Sequence, residues 1–188
     1  LVPIAGRFGN NKFLIAIRDG ITYSMPLILI GSFLMVIASF PVPGWENWLG
    51  KVGISTYLWK GVDSSFNLIA LIAAFAIPYS LVKQYREDGI SAGVINISAF
   101  LMVTPFTIPF LDESGKTLGS VGGIAPSYLS SGGLFVAIVL GLLNGYVYQW
   151  FMKKDIRIKM PDGVPPAVSK SFSAIIPGAV ILIFWLII

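Results

Sequence analysis

Five stretches of the sequence contain no Asp, Glu, Lys or Arg, and they limit how the chain can fold more than any other feature. They cover residues 21–40, 66–82, 90–110, 134–151 and 172–188, so each is 17 to 21 residues long. A helix needs roughly 20 residues to cross a hydrocarbon core of about 30 Å. A charge in the middle of such a span costs about 2.5–3.5 kcal/mol on insertion scales. The pattern therefore predicts an all-α, polytopic membrane protein with five transmembrane helices.

Composition excludes several other classes of protein. Only 12% of the 188 residues are charged and 55% are hydrophobic, whereas a soluble domain usually carries about 25% charged residues. The apolar runs are continuous, unlike the alternating segments of about 9–11 residues that form membrane β-barrels. The chain has no Cys and no His, which excludes disulfides, Cys/His zinc sites and Ser-His or Cys-His catalytic pairs. We expect no metal, no cofactor and no catalytic residue in this chain.

The distribution of Lys and Arg predicts the orientation in the membrane. Ten of the 13 flank the spans on the side of the N-terminus, and three lie on the opposite side. The first group is Arg7, Lys12, Arg18, Lys83, Arg86, Lys153, Lys154, Arg157, Lys159 and Lys170, and the second is Lys51, Lys60 and Lys116. The positive-inside tendency then predicts a cytoplasmic N-terminus. It also accounts for the net charge of +4 without a nucleic-acid partner.

Two connections carry recognisable patterns. Between residues 41 and 65, an apolar helical face made by Trp45, Trp48, Leu49 and Val52 predicts a short helix lying at the membrane interface. Anchoring by the aromatic belt is the favoured interpretation of this helix, and a ligand site is the alternative.

The fourth connection alternates charged and apolar side chains over residues 155–160, which predicts a short strand-like segment. Turn-forming residues follow: Pro161, Asp162, Gly163, Pro165 and Pro166. We expect a helix to begin near Ala167, because proline is suited to the first helical turn. A stiff re-entry turn is favoured over a docking surface or hinge for cytosolic partners.

Small and polar residues predict how the spans pack. Gly141 and Gly145 form a GxxxG pattern that allows close helix approach, either within one protomer or in a dimer. Three polar side chains lie in or near the spans: Asn67, Asn96 and Asn144. We expect them to bridge helices rather than to bind substrate.

Charged side chains are expected only at the ends of the spans. Arg18 and Asp19 predict a local ion pair that anchors the first span. Since buried ionisable groups usually mark transport sites, we expect the main substrate or proton site to lie outside these five spans.

The run from Ile156 to Phe172, continuing to Gly178, closely resembles enzyme IIC, the membrane component of the bacterial sugar phosphotransferase system, in its lactose/cellobiose branch. Its Met-Pro-Asp-Gly-Val-Pro-Pro segment is the specific part. Supporting similarity occurs in order along the chain, over residues 17–20, 25–32, 76–80, 101–106 and 132–135.

The resemblance implies a bacterial inner-membrane permease that translocates a disaccharide of the cellobiose, chitobiose or lactose type. The sugar is then phosphorylated from a phosphocysteine on the partner enzyme IIB. The chain resembles the N-terminal half of the family, the dimer-building scaffold. The family's sugar-binding groups, including a His and a catalytic Glu, belong to the other half, so no substrate or catalytic residue is assigned here.

Other functions are left open by the residues alone. The alternatives are a secondary transporter or channel without phosphotransfer, and a structural membrane subunit. The last apolar stretch has no polar flank, which predicts roughly the front half of a longer protein.

Overall fold

The protein is mostly helical in the computed structural model, which describes residues 9–111, 117–161 and 163–188. The α-helices of these ranges are α1 (Lys12–Thr22), α2 (Met25–Ala38), α3 (Trp45–Val52), α4 (Ser55–Phe66), α5 (Ile69–Lys83), α6 (Gly89–Met102), α7 (Pro126–Leu129), α8 (Leu134–Lys153), α9 (Pro166–Ser173) and α10 (Ile175–Ile187). The strands are β1 (Thr107–Leu111) and β2 (Thr117–Gly122), which pair antiparallel between α6 and α7.

Within the described ranges, four helical segments are long and apolar enough to cross a membrane. They are Lys12–Ala38, Ser55–Lys83, Ser131–Lys153 and Pro166–Ile187. The predicted span 90–110 corresponds to α6, which is apolar but has 14 residues. The expectation of several membrane-crossing helices is therefore confirmed, and the count of five spans stays a prediction.

The first two long helices begin earlier than the charge-free stretches suggest. Helix α1 starts at Lys12 and carries Arg18 and Asp19, and α4 carries Lys60 and Asp63. Charged side chains on an exposed helix face do not end a helix. The charge-free stretches therefore placed the beginnings of these two helical segments too late, at residues 21 and 66 instead of Lys12 and Ser55.

The all-α expectation is wrong at the end of the predicted span 90–110. Helix α6 ends at Met102, and the chain then enters β1, where Thr107 pairs with Gly122 of β2. Pro105 and Pro109 explain the change, because each removes a backbone donor and disfavours helical backbone in the residue before it. A membrane helix tolerates one proline where neighbours satisfy the freed carbonyl, but two prolines within five residues divert this chain into a hairpin.

Two other prolines coincide with interruptions in long helices. Pro26 stands in the first turn of α2, just after the break that separates α1 from α2 at Tyr23 and Ser24. Pro177 stands in the first turn of α10, just after the break at Ala174. In both places the proline begins a new helix, where its missing N–H costs nothing.

The short helix expected in the first long connection is present as α3. Leu49 is buried, while Trp48 and Val52 are about half exposed. The indole Nε1 of Trp45 donates to the carbonyl of Ile37 at 2.7 Å, which fastens α3 to the end of α2. Its position at a membrane interface stays a prediction.

The strand-like segment predicted at residues 155–160 is absent. Asp155 adopts a left-handed backbone with φ 56°, and its carboxylate pairs with Arg157 at 2.8 Å and with Lys159. A lone strand has no neighbour to bond, so the alternating residues form a compact loop instead. The helix expected near Ala167 begins one residue earlier, at Pro166.

Helix α5 is the centre of the bundle, and α1, α6 and α8 all pack on it. Each of these neighbours places a glycine against α5: Gly20 against Ile77, Gly93 against Phe75, and Gly141 against Ile77. Without side chains at these points the helix backbones approach closely, as is common between membrane helices. Helix α1 runs antiparallel to α5, because Lys12 lies beside Gln84 and Gly20 beside Ile77. Helix α6 does the same, because Gly89 lies beside Tyr79 and Gly93 beside Phe75.

Helices α2 and α4 form a separate pair that extends from this bundle. Gly31 of α2 lies against Ser65 of α4, and Gly61 of α4 lies against Leu34 of α2. Helix α2 is largely exposed among the described residues, with Phe33 71% exposed. The pair therefore presents a wide apolar surface that this chain does not cover.

We predict that Gly20→Ala destabilises the protein. A Cβ at this position would lie 2.9 Å from the backbone nitrogen of Ile77, which cannot rotate away. Overpacking of this kind costs about 1–3 kcal/mol. The measurement is the apparent melting temperature of the complete protein in detergent, which should fall.

The matched control is Gly50→Ala, because no atom lies within 4 Å of a Cβ built on Gly50 in α3. Alanine is the better helix former, so the melting temperature should stay unchanged or rise slightly. Equal melting temperatures for Gly20→Ala and the unmodified protein would contradict the close packing of α1 on α5.

Candidate functional site

A chain of buried hydrogen bonds crosses the centre of the bundle and joins four helices. The Asn96 side-chain nitrogen donates to the Ala74 carbonyl at 2.5 Å. The Asn144 nitrogen donates to the Asn96 oxygen at 2.8 Å, and the Trp185 indole donates to the Asn144 oxygen at 2.9 Å. We call this set the polar relay; it connects α5, α6, α8 and α10.

The polar relay begins at a carbonyl that its own helix cannot satisfy. Pro78 has no N–H, so the usual bond from residue 78 to the carbonyl of Ala74 cannot form. Asn96 supplies the missing donor from α6, and α5 continues through Pro78 without interruption. In a membrane no water is available for this task, so the donor must come from a neighbouring helix.

The interpretation of Asn96 and Asn144 as helix-bridging residues is confirmed by these bonds. Asn67 behaves differently: it ends α4, and its side chain faces Asp63 of the same helix at 3.5 Å. Trp185 was not singled out from the sequence. The sequence does contain a signal for the start of the relay, because Pro78 within an apolar run implies that the carbonyl of Ala74 needs a donor from another helix. It contains no corresponding signal for Trp185.

The structure places both glycines of the GxxxG pattern inside the bundle. A Cβ on Gly141 would lie 3.0 Å from Ile77, and one on Gly145 would lie 3.1 Å from Pro78. Both glycines are buried. They therefore lie against α5 of the same chain. This contact corresponds to close approach within one protomer, and a role of the pattern in a dimer stays a prediction.

Arg18 and Asp19 are adjacent on α1 and form an ion pair of 2.8 Å. Both side chains are largely exposed, at 69% and 38%. An exposed pair of this kind contributes little to stability. Its part in anchoring the first span stays a prediction.

The turn-forming residues of the fourth connection lead into α9. Gly163 has φ 98°, a left-handed conformation that favours glycine, and Pro165 precedes the first residue of the helix, Pro166. Pro161 is exposed, and Asp162 lies outside the described residues. The segment is tied to the bundle where Ser173 donates to the carbonyl of Ile158 at 3.1 Å.

Cationic residues gather at one end of the bundle, which we call the cation-rich end. It comprises Lys12, Lys83, Arg86, Lys153, Lys154, Arg157, Lys159 and Lys170. The Lys12 ammonium lies 3.6 Å from the centre of the Tyr85 ring, and Gln84 donates to the carbonyl of Lys12 at 3.1 Å, which joins the start of α1 to the end of α5.

Charge at this end is partly balanced by Asp155. Hydrogen bonds from Lys159 and Arg157 hold the pKa of its carboxyl below the usual value. The ion pairs are therefore complete at neutral pH and are lost as the pH falls through the lowered pKa. Their contribution is small, because Asp155 is exposed to solvent.

The described residues contain no group of three His, Cys, Asp or Glu side chains that could hold a metal ion. The buried polar groups of the helices are amides, hydroxyls and an indole, none of which titrates near neutral pH. The geometry of this part of the chain is suited to holding helices together.

These features define a polytopic helical membrane protein whose helices are joined by buried amides and close glycine contacts. The family model described as "Phosphotransferase system, EIIC" matches residues 18–188. The chain therefore belongs to the EIIC family of the phosphotransferase system, and it is an integral membrane protein.

Individual relatives agree with this assignment. The chain is 44% identical to the lichenan permease IIC component of Bacillus subtilis (strain 168), over 98% of this chain and 42% of that protein. It is 42% identical to the cellobiose-specific EIIC component of Geobacillus stearothermophilus, over 97% of this chain and 42% of that protein. The chain thus spans less than half the length of these relatives.

A solved structure shares the fold. The crystal structure of the transporter ChbC, the IIC component from the N,N'-diacetylchitobiose-specific phosphotransferase system, superposes with a TM-score of 0.91 at 34% identity. The match covers 100% of this chain and 44% of that chain.

We predict that Asn96→Leu destabilises the protein, and that Pro78→Ala reduces this loss. The first substitution leaves the Ala74 carbonyl and the Asn144 amide unpaired, at a cost of about 1–2 kcal/mol. The second restores a backbone N–H for Ala74, so part of the cost should disappear. A double-mutant cycle on the melting temperature of the complete protein measures the coupling.

Ser91→Ala serves as the control for Asn96→Leu, because Ser91 is also on α6 but pairs with Asp88 outside the polar relay. Its effect should be the same with Pro78 and with Ala at position 78. Strict additivity of Asn96→Leu and Pro78→Ala would contradict the pairing described for Ala74.

Proposed function

We propose that the complete protein is a phosphotransferase-system permease that translocates a disaccharide of the cellobiose or chitobiose type for phosphorylation by enzyme IIB. The observation that carries this proposal is the match to EIIC proteins along almost the entire chain, since two relatives of 44% and 42% identity are named for lichenan and cellobiose. The similarity to ChbC, which belongs to an N,N'-diacetylchitobiose-specific system, supports a chitobiose-type substrate equally well.

Partnership with enzyme IIB is supported by two relatives in Staphylococcus aureus named as lactose-specific EIICB components, whose name joins the two functions. These relatives are 30% identical over 97% of this chain. Membership of the EIIC family also favours a permease of this system over a secondary transporter or a structural subunit.

Within that permease, this chain is the N-terminal scaffold half, residues 1–188. The support is physical: its helices are joined by the polar relay and by glycine contacts, and no ionisable pair lies inside the described bundle. Sugar binding and catalysis then belong to the part of the relatives that this chain does not cover.

Helix α6 is the fifth span of this proposal. It packs on α5, α8 and α10, and it carries Asn96 of the polar relay at its middle. A helix of 14 residues is about 21 Å long, so residues 103–106 complete the crossing as non-helical backbone.

Two copies of the complete protein form a dimer through the apolar surface of α2 and α4. Exposed Leu29, Phe33, Val36 and Tyr57 support this, because apolar surfaces of such extent serve as interfaces or face lipid. Light scattering of the complete protein in detergent measures the number of copies directly.

Roles for the remaining residues follow from their positions. Gly141 and Gly145 allow α8 to approach α5. The connection before α9 is shaped by its turn-forming residues, Pro161, Asp162, Gly163, Pro165 and Pro166. The ion pair of Arg18 and Asp19 anchors the first span.

We predict that proteoliposomes containing the complete protein convert external cellobiose to internal sugar phosphate. The conversion should require phosphoenolpyruvate, the general carrier proteins and enzyme IIB, because a phosphotransferase system draws the phosphate for its sugar from these components. The measurement follows radiolabelled sugar and separates it from its phosphate.

The control replaces the phosphorylated cysteine of enzyme IIB with serine, which should abolish sugar phosphate. Accumulation of unmodified sugar without phosphoenolpyruvate would instead identify a secondary transporter.

We predict that the N-terminus and the cation-rich end face the cytoplasm of a bacterial cell. Lys154→Cys and Lys51→Cys place single thiols at exposed positions near opposite ends of the bundle, in a complete protein whose cysteines outside these 188 residues are replaced by serine. A membrane-impermeant maleimide added to intact cells should label position 51 and should label position 154 only after permeabilisation. The reverse pattern would overturn the orientation.

A further inference from the structure

We propose that the complete protein binds an anionic phospholipid at the cation-rich end, between α6 and the α9–α10 segment. An apolar groove between α6 and α10 and a cationic pocket at its end form the site. No residue of the sugar-transport proposal is involved, so the two proposals fail independently.

The apolar groove runs between α6 and α10 and has a volume of about 450 Å³. Its walls include Ile90 and Val94 of α6 and Ile175 and Ala179 of α10. The first three side chains are 50–60% exposed. Small residues of α10, such as Gly178, keep the groove open, so it has the shape and chemistry to take an acyl chain.

The cationic pocket has a volume of about 200 Å³ and lies at the ends of α5 and α8. Arg86, Arg157 and Lys170 supply three positive charges, and Ser169 supplies a hydroxyl. Arg86 makes no ion pair among the described residues, and it is exposed. Cations and hydroxyl donors converging in this way match the oxygens of a phosphate group.

Two carboxylates also line the pocket, and one of them already accepts hydrogen bonds within the protein. Asp88 caps the start of α6 by accepting hydrogen bonds from the backbone and hydroxyl of Ser91. Glu87 and Asp88 offset two of the three positive charges. Arg157 is also paired with Asp155, a carboxylate that Lys159 shares, so the pocket and its ion-paired neighbours together keep an excess of one positive charge. The pocket therefore favours an anion over a cation.

The groove and the pocket adjoin. Ser91, which lines the groove, bonds to Asp88, which lines the pocket, and Ser171 of the groove follows Lys170 of the pocket. An occupant that uses both parts has a phosphate at one end and a hydrocarbon chain at the other. A soluble phosphate would leave the groove empty, so a phospholipid fits the combined surface better.

The charge of the bilayer also favours this occupant. Clusters of Lys and Arg at the ends of membrane helices attract anionic lipids, because the headgroups lie at the same depth. The cation-rich end places Arg86 and Lys170 where the apolar part of the bundle stops, at the start of α6 and in the last turn of α9.

The test measures retention of phosphatidylglycerol by the complete protein, using native mass spectrometry from a neutral detergent. Phosphatidylglycerol should remain bound in preference to phosphatidylcholine with the same acyl chains. The double substitution Arg86→Gln/Lys170→Gln should reduce its retention by about fivefold for each cation removed. Both side chains are exposed, so the variant should keep the melting temperature of the lipid-free protein.

The matched control is Lys51→Gln/Lys60→Gln, which removes two exposed cations distant from the groove and should leave retention unchanged. Ala179→Phe fills the groove from an exposed position and should weaken phosphatidylglycerol binding without affecting inorganic phosphate.

Three results would overturn the proposal. One is equal retention of phosphatidylglycerol by the unmodified protein and Arg86→Gln/Lys170→Gln. Another is competition by inorganic phosphate alone at the affinity of the lipid, which would identify a soluble-phosphate site. The third is a loss of phosphotransfer from enzyme IIB in the double variant with unchanged lipid retention, which would identify a protein-docking surface.

Discussion

The carbonyl of Ala74 is the group on which the bundle depends. Pro78 removes its partner within α5, and the surrounding apolar side chains offer no other donor than Asn96. Meeting that requirement fixes the rotation and depth of α6, because an amide side chain reaches only a short distance. A buried carbonyl left unpaired would cost about 1–3 kcal/mol, so one residue on α6 is under strong constraint.

Comparison of the three prolines shows what this bond achieves. Pro26 and Pro177 begin new helices after interruptions, whereas α5 passes through Pro78 as one element. Continuity matters at this place because α5 is the helix on which α1, α6 and α8 all pack. Had α5 also been divided, the glycines facing it would have no single straight partner.

The bundle and the α2/α4 pair differ in how they bury their residues. Around α5, alanine, glycine and amide groups are enclosed by neighbouring helices, and Asn96 is fully buried. In α2 the large apolar side chains point away from the chain, and only the face that carries Gly31 is covered. One part is internally complete, and the other offers its surface to lipid or to a second protein.

The sequence predicted the apolar helices because charge is expelled from lipid wherever the segment lies, a rule that needs no tertiary information. It predicted the bridging role of Asn96 and Asn144 because a polar side chain inside a span needs a hydrogen-bond partner on another helix. It misjudged residues 103–111, where Pro105 and Pro109 act together, and residues 155–160, where alternation without a neighbouring strand has no structural effect. The partners of Ala74 and the convergence of Arg86 with Lys170 depend on contacts between distant segments, which a single sequence does not specify.

The polar relay also follows the order in which a ribosome makes the chain. Ala74 emerges first with an unpaired oxygen, Asn96 pairs with it and leaves its own oxygen open, and Asn144 does the same in turn. Trp185 arrives last, and its indole has a donor but no acceptor, so it closes the series. Each later helix of the relay thus supplies one donor to an acceptor on the helix before it, so the bonds run in chain order from α5 to α10.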